Sequence, residues 1–240
     1  MRTMIAILAV VAISASAMAD ATNVRPVTIG ATNDAQSLQQ VLNSLVVSGP
    51  GVDAYLDQTD YALFTNGASG GSVATFIIEL SGNAASNSFG IYSSGNAANK
   101  AQIFSGVAGS GSMALVSFAA NGDILVNFQV VASGFGSSFG FYIDNGYTTY
   151  YSEDSLNNGA AMALIYQGDG VTVKKAPGYA PGLWSPNEFI IAFEDGMDQF
   201  TDFNDLVVMV ESIVPVPAPA AALLGMVGLA AVGYIKRRVK

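Results

Sequence analysis

The residues best suited to chemistry in this chain lie in one acidic loop near its C-terminal end. Two apolar runs, residues 189–193 and 206–210, flank this loop, and it carries Glu194, Asp195, Asp198, Asp202, Asn204 and Asp205. Five carboxylates within twelve residues repel one another if they converge without a cation. Oxygen ligands of this kind suit Ca²⁺. We therefore predict a Ca²⁺ site that Glu194 supports from outside, with the ligands Asp195, Asp202, Asn204 and Asp205.

The same residues also fit a loop that binds no metal. Asp and Asn are turn formers, so Asp202 and Asn204 could shape Asx-turns while Asp205 starts the next strand. The spacing Asp202-x-Asn204-Asp205 is not that of an EF-hand, which needs a Gly at loop position six and a Glu at position twelve. From the sequence, the metal site and the plain turn are equal alternatives.

Composition excludes several kinds of catalytic site. The chain of 240 residues has no cysteine and no histidine, which removes disulfides, thiol nucleophiles, histidine metal ligands and a Ser-His-Asp triad. No Gly-rich phosphate loop, metalloprotease motif or serine elbow is present. A glycosidase needs two carboxylates roughly 5–9 Å apart, and nothing in the sequence pairs them. We therefore expect that the protein is not an enzyme.

The distribution of charge favours cations as partners. Residues 20–213 contain all 18 acidic residues of the chain and only four of its nine basic ones. A surface of this sign repels nucleic acid and anionic lipid. It is compatible with cation binding and with solubility outside the cell.

The elements that must position the acidic loop are mostly short strands. From residue 61 onward, apolar runs alternate with Gly, Ser and Asn turns, which is typical of an all-β antiparallel sandwich or jelly roll. Residues 24–29 are compatible with a first strand. The other predicted strands are 72–80, 88–93, 102–105, 113–118, 123–131, 138–143, 148–152, 161–166, 189–193 and 206–211.

One helix is expected before these strands. Apolar residues recur at helical spacing at Leu38, Val41, Leu42 and Leu45. Asp34 or Asn33 is available as its N-cap. We predict that this helix covers the sandwich core.

The aromatic residues are expected in the core, because Phe dominates over Trp. Residues 89–92 and 139–142 read Phe-Gly-Ile-Tyr and Phe-Gly-Phe-Tyr, and we interpret them as equivalent strands of two sheets. The single tryptophan, Trp184, lies in a Pro-rich loop at residues 177–186. We expect it to cover an edge of the core.

Both ends of the chain carry targeting features. Residues 1–19 are typical of a signal peptide, with Arg2, an apolar stretch, and a cleavage site between Ala19 and Asp20. Residues 20–213 then form an extracytoplasmic β-sandwich domain. Residues 214–240 form a sorting tail with a Pro motif (214–219), a single transmembrane helix (218–235) and a basic end (236–240), which the positive-inside rule keeps in the cytoplasm.

This tail resembles a PEP-CTERM sorting signal, a Pro motif followed by a hydrophobic helix and a basic cluster. The motif residues are Val214, Pro215, Val216, Pro217 and Ala218, and the basic ones are Lys236, Arg237 and Arg238. Val216 stands where the family name has Glu, which is closer to the Val-Pro-Leu-Pro-Ala variant. The resemblance implies processing by an exosortase-type protease in a Gram-negative bacterium that makes exopolysaccharide or biofilm matrix.

The body of the chain is similar to the domain-of-unknown-function family 4114. The similarity covers residues 36–212 and is carried by residues 72–80, 87–92, 189–195 and 202–208. It implies a secreted β-domain and no established activity.

Together these features predict an exported, non-catalytic protein of the cell surface or extracellular matrix. The expected partners are signal peptidase, the exosortase-type protease, extracellular polysaccharide and, through the tail, the inner membrane. Nucleic acid is not expected as a partner. The alternatives are a carbohydrate-binding module and a polysaccharide hydrolase that uses paired carboxylates.

Overall fold

The structure, a computed structural model, describes residues 23–32, 34–68, 72–79, 85–106, 108–196 and 201–216. Within these ranges it contains one α-helix, α1 (Leu38–Leu45), and one 3₁₀-helix (Asp154–Asn157). The strands of the described ranges, β1 to β16, are Val46–Ser48, Phe64–Asn66, Ser72–Glu79, Ser88–Ser93, Asn96–Phe104, Met113–Phe118, Ile124–Val126, Gln129–Ala132, Ser138–Asp144, Thr149–Tyr151, Ala163–Gln167, Val173–Lys174, Gly182–Leu183, Glu188–Phe193, Leu206–Glu211 and Ile213–Pro215.

Two antiparallel sheets form the body of the protein. The six-stranded sheet has the order β16-β2-β9-β4-β5, with β10 beside β9, and the seven-stranded sheet has the order β11-β14-β15-β3-β6-β7-β8. A small sheet, β1-β12-β13, is not paired with either of them. The prediction of an all-β sandwich is confirmed.

The main core lies between the two large sheets. Strand β14 shows how the sequence builds it, because Phe189, Ile191 and Phe193 join this core while Ile190 and Ala192 point to the opposite face. A strand buried on both faces is apolar without alternation. This explains why residues 189–193 form a continuous apolar run.

The predicted helix is confirmed, and it covers the outer face of the seven-stranded sheet. Its four apolar residues are buried there in a second core with Tyr166 and Met209. The predicted cap is wrong: Ser37 caps the helix and forms a capping box with Gln40. Asp34 is therefore not needed as the cap.

Most predicted strands lie within one or two residues of their observed positions, with three exceptions. Residues 24–29 form no strand, and the Val27 N–H donates to the Gln58 side chain instead. The predicted strand 123–131 is a hairpin, because Asn127 and Phe128 have positive φ and turn the chain between β7 and β8. Strand β5 begins six residues before the predicted residue 102.

The two similar aromatic motifs are neighbours in one sheet, so their assignment to two sheets is wrong. Strands β4 and β9 pair antiparallel, with Gly90 opposite Tyr142 and Tyr92 opposite Gly140. Each glycine thus faces the tyrosine of the other motif. The close approach of each ring is possible because glycine has no Cβ.

Trp184 is buried in the second core, as expected for a residue that covers a core edge. The phenylalanines also follow the prediction: the largest fully buried side chains include Phe64, Phe89, Phe141 and Phe193. The exposed aromatic rings of the described residues are those of Tyr55, Phe128 and Tyr147, which lie on three separate loops.

The domain continues past the predicted boundary at residue 213. Val214 and Pro215 belong to β16, which pairs with β2, and the Val216 N–H donates to the Leu63 carbonyl at 2.9 Å. The predicted signal peptide and its cleavage site between Ala19 and Asp20 lie outside the described residues, and so do Pro217, Ala218, the helix 218–235 and the basic end. Among the described residues, no helix has the length and apolarity needed to cross a membrane.

Candidate metal centre

The acidic loop lies at one end of the sandwich, where β14 ends and β15 begins. The loop begins directly after Phe193 and ends at Leu206, and these two residues pair with each other in the sheet. Phe203 has a positive φ of 55° and is buried in the second core, and its N–H donates to Glu194 Oε2 at 3.1 Å. The loop is thereby folded back on itself. Asp198 lies outside the described residues.

Three carboxylates converge at this end. Oxygens of Asp34, Asp202 and Asp205 all lie within 4.8 Å of one another, and we call these residues the acid triad. Asp202 and Asp205 are buried. The Asp195 N–H donates to Asp205 Oδ2 at 2.8 Å, which fixes one edge of the triad.

Asp195 and Glu194 lie beside the triad and are held by the protein. Asn87 Nδ2 donates to Asp195 Oδ2 at 2.8 Å, and Asn145 Nδ2 donates to the Asp195 carbonyl at 2.7 Å. Asn87 directly precedes β4 and Asn145 directly follows β9, and both strands belong to the six-stranded sheet. The site is therefore built where the two sheets and the segment before α1 meet.

Several buried oxygens at this site lack a hydrogen-bond donor among the described residues. They are Asn204 Oδ1, Asp202 Oδ2 and Asn87 Oδ1. A buried acceptor without a partner costs roughly 1–3 kcal/mol, and more when it is charged. A bound cation would satisfy such oxygens, whereas a further hydrogen-bond acceptor would not.

The raised pKa values of two carboxyl groups at this site also favour a bound cation. Burial, together with the charge of Asp205 and a hydrogen bond to it, raises the pKa of Glu194 well above its usual range. Burial and the charges of Asp195 and Asp202 also raise the pKa of Asp205. Without a cation, the site therefore resists carrying its full negative charge.

Most basic residues of the domain form ion pairs with carboxylates outside the acid triad. Arg25 pairs with Asp154 at 3.2 Å, Lys100 with Asp144 at 3.7 Å, and Lys174 with Glu188 at 3.3 Å. Three of the four basic residues between residues 20 and 213 thus neutralise other carboxylates.

Only some of the predicted ligands belong to the acid triad. Asp202 and Asp205 belong to the acid triad, and Asn204 is fully buried with its Oδ1 unpartnered. Asp195 is held at the edge by Asn87 and Asn145. Glu194 Oε2 accepts the Phe203 N–H and so binds the backbone of the loop.

Asn204 does not close a local turn with its amide group. Its Nδ2 donates to Thr32 Oγ1 at 3.1 Å and to the Gln36 carbonyl at 2.6 Å, across about 170 residues of sequence. The side chain therefore ties the loop to the segment before α1. This contact favours an organised site over the plain Asx-turn.

Sequence reasoning missed Asp34, Asn87 and Asn145. A signal for Asp34 was present, because the Ser37-x-x-Gln40 pattern is a capping box and leaves Asp34 without a capping role. No local signal marks the two asparagines, which reach Asp195 only through the pairing of the sheets.

In comparisons with protein-family models, with curated proteins and with solved structures, nothing matched this chain. The fold and the site alone define what the protein is: an acidic, cysteine-free antiparallel sandwich with a buried oxygen cluster at one end.

Proposed function

We propose that this protein is an exported, non-catalytic component of a bacterial cell surface or extracellular matrix, whose sandwich is stabilised by a Ca²⁺ ion. One observation carries the metal: oxygens of Asp34, Asp202 and Asp205 converge within 4.8 Å of one another, and Asp202 Oδ2 is buried without a hydrogen-bond donor among the described residues. The ligands we assign are the triad and Asn204, with Asp195 and Glu194 as supporting residues.

Ca²⁺ suits this site better than other common ions. The candidate ligands are carboxylate and amide oxygens, and a chain without His or Cys offers no nitrogen or sulfur ligand of the kind that Zn²⁺ prefers. Mg²⁺ requires a near-ideal octahedron and retains waters, whereas Ca²⁺ accepts six to eight oxygens in flexible geometry. Because the candidate ligands come from different elements of the chain, their arrangement fits the flexible coordination of Ca²⁺ better than the strict octahedron of Mg²⁺.

The ion would act as a link between distant parts of the chain. Asp34 precedes α1, while Asp202 and Asp205 precede β15, so one ion would join the helical cover to the sheet beneath it. A ligand at 100 times its dissociation constant adds about 2.7 kcal/mol of stability. In a chain that has no disulfide, this is a large share of the usual total of about 5–15 kcal/mol.

The burial of the carboxylates argues against hydrolysis at this site. Glu194 and Asp205 are hydrogen-bonded to each other, as are the paired carboxyl groups that some hydrolases use. However, they are only 3% and 8% exposed, so a polysaccharide cannot reach them. We therefore assign them to structure and not to catalysis.

The proposed location is supported by the sequence of the two ends. The precursor would be tethered in the inner membrane by residues 218–235 and then released or displayed at the surface of a Gram-negative cell, where extracellular polysaccharide is the expected partner. Mass spectrometry of the protein from the cell envelope should find an N-terminus at Asp20. A cytoplasmic chain that retains residues 1–19 would contradict export.

Thermal melting tests the metal. After removal of metal with a chelator, added Ca²⁺ should raise the melting temperature of the protein by roughly 5–10 °C, because about 2–4 °C corresponds to 1 kcal/mol in a domain of this size. Mg²⁺ at the same concentration should raise it much less. No response to either ion would leave the acid triad as a set of turn residues, and an equal response to both would contradict the assignment to Ca²⁺.

A further inference from the structure

A second feature lies at the end of the sandwich opposite to the acid triad. The acidic loop joins the end of β14 to the start of β15, whereas this feature, a cleft of about 630 Å³, lies beyond the end of β6 and the start of β9. This size is within the range of about 300–1,000 Å³ that is typical of small-molecule sites.

The walls of the cleft are preformed by hydrogen bonds. Phe135 N–H donates to the Gly122 carbonyl at 2.8 Å, and Gly122 N–H donates to the Ala119 carbonyl at 3.0 Å. Asn121 Nδ2 donates to Asp123 Oδ2 at 2.7 Å, which fixes the turn between β6 and β7. A ligand would therefore meet walls whose shape does not have to be created on binding, which lowers the entropic cost.

An aromatic ring forms part of the lining and is held rigidly. Phe118 stacks on Phe139 with ring centroids 5.0 Å apart and an angle of 25° between the planes. The Phe118 ring is only half-buried, in contrast to Phe139, which lies in the core. It thus presents an apolar aromatic surface to the cleft at little cost in side-chain entropy.

The rest of the lining is uncharged and mixes small and apolar residues, such as Ala120 and Ile124, with a few polar side chains. It combines hydroxyl and amide groups with the aromatic surface, at Thr65, Asn66, Asn121 and Ser137. None of the described residues that line the cleft is charged, although the chain has 27 charged residues. Phosphorylated, sulfated and strongly acidic or basic ligands would find no counter-charge here.

We propose that this cleft binds a short, neutral glycan. The C–H face of a sugar ring packs on an aromatic ring, and its hydroxyls pair with amide and hydroxyl groups, which are the two kinds of surface that the cleft combines. The Asn121 amide already bonds to Asp123 through one donor and one acceptor position, and an amide group has the capacity for a second bond of each kind, which a sugar hydroxyl could use. An ionic ligand would be desolvated without compensation. The inference depends on neither the metal nor catalysis.

Binding can be tested on the full-length protein in mild detergent by saturation-transfer NMR and calorimetry. The probes are cellotriose, maltotriose and tri-N-acetylchitotriose. At least one should show saturation transfer to its ring protons, with an affinity that does not change when Ca²⁺ is replaced by a chelator. A loss of binding on chelation would place the glycan at the metal site and would overturn the assignment of the cleft.

Three variants test where the glycan binds. Ala120→Trp puts a large side chain at an exposed position of the cleft lining and should abolish binding, whereas Ala180→Trp, at an exposed position of the Pro-rich loop, should leave it unchanged. Phe118→Leu keeps apolar bulk against Phe139 but removes the aromatic surface, and should weaken binding at least tenfold, about 1.4 kcal/mol.

Other outcomes of these experiments would contradict the proposal. Binding that survives Ala120→Trp, or that Ala180→Trp reduces equally, would place the glycan elsewhere. The absence of transfer to all three probes at millimolar concentration would overturn the proposal, while leaving the calcium test untouched.

Discussion

Replacing Asp205 with asparagine is expected to change the stability of this protein in opposite directions with and without Ca²⁺. In the metal-free protein, the variant should be more stable than the wild type by about 1–2 kcal/mol, because one of several converging negative charges is removed. The new side chain retains an oxygen that can accept the Asp195 N–H, whose bond to Asp205 measures 2.8 Å. The packing of the loop is therefore preserved.

With Ca²⁺ present the order should reverse. Asparagine provides a neutral oxygen where the site has a carboxylate, so the affinity for Ca²⁺ falls and the gain in melting temperature should drop to less than half of the wild-type gain. The measurement is a calcium titration of the melting temperature of both proteins at about pH 8, which lies above the raised pKa of about 6 at Asp205, so that protons do not compete with the ion there.

The control for this experiment is Asp60→Asn. Asp60 is an exposed carboxylate in the segment before β2, outside the acid triad. This variant loses the same charge but should retain the full response to Ca²⁺. If Asp205→Asn and Asp60→Asn respond alike, the acid triad is not the metal site, and the effect of Ca²⁺ is a general screening of acidic charge.

Gly140→Ala is expected to destabilise the protein by about 3 kcal/mol or more, because overpacking a rigid site costs about 1–3 kcal/mol and the ring here has nowhere to move. A Cβ at residue 140 would lie 2.6 Å from Cε1 of Tyr92. Tyr92 is fully buried, and its hydroxyl donates to Glu153 Oε2 at 2.6 Å. Displacing the ring would break that bond at a buried carboxylate.

The reciprocal variant, Gly90→Ala, should have a similar effect. Its Cβ would lie 2.8 Å from Cε1 of Tyr142 and would also meet the backbone of β5. Both variants are measured by urea unfolding, with Gly182→Ala as the control. Gly182 lies in β13 with open space around its Cβ position, and its variant should stay within about 0.5 kcal/mol of the wild type. A cost for Gly140→Ala that is as small as the cost for Gly182→Ala would show that Tyr92 moves freely.

The local sequence was sufficient to predict those elements whose own residues carry the periodic apolar pattern. The spacing of Leu38, Val41, Leu42 and Leu45 sets one apolar face, and a helix is the structure that gathers them on one side. Strands β14 and β15 were also predictable, because both their faces are buried and the apolar run is continuous. The cap at Ser37 was readable as well, since a capping box involves only residues three positions apart.

Elements decided by their partners were less predictable. Residues 123–131 look like one strand, yet Asn127 and Phe128 turn there without a glycine, because β7 and β8 pair with each other. Similarity between the two Phe-Gly-x-Tyr motifs was visible in the sequence, but their adjacency was not, since it depends on a pairing between strands about 50 residues apart.

The candidate metal centre was also predictable from the sequence only in part. The sequence by itself determined that a run of carboxylates lies in the loop between two buried strands, because turn-forming acids between apolar runs are a local pattern. Only the tertiary structure decided which oxygens converge: Asp34 comes from before the helix, and Asn87 and Asn145 come from the other sheet. Convergence depends on distances in space between residues far apart in the chain, and these distances are set by the packing of the two sheets and the helix.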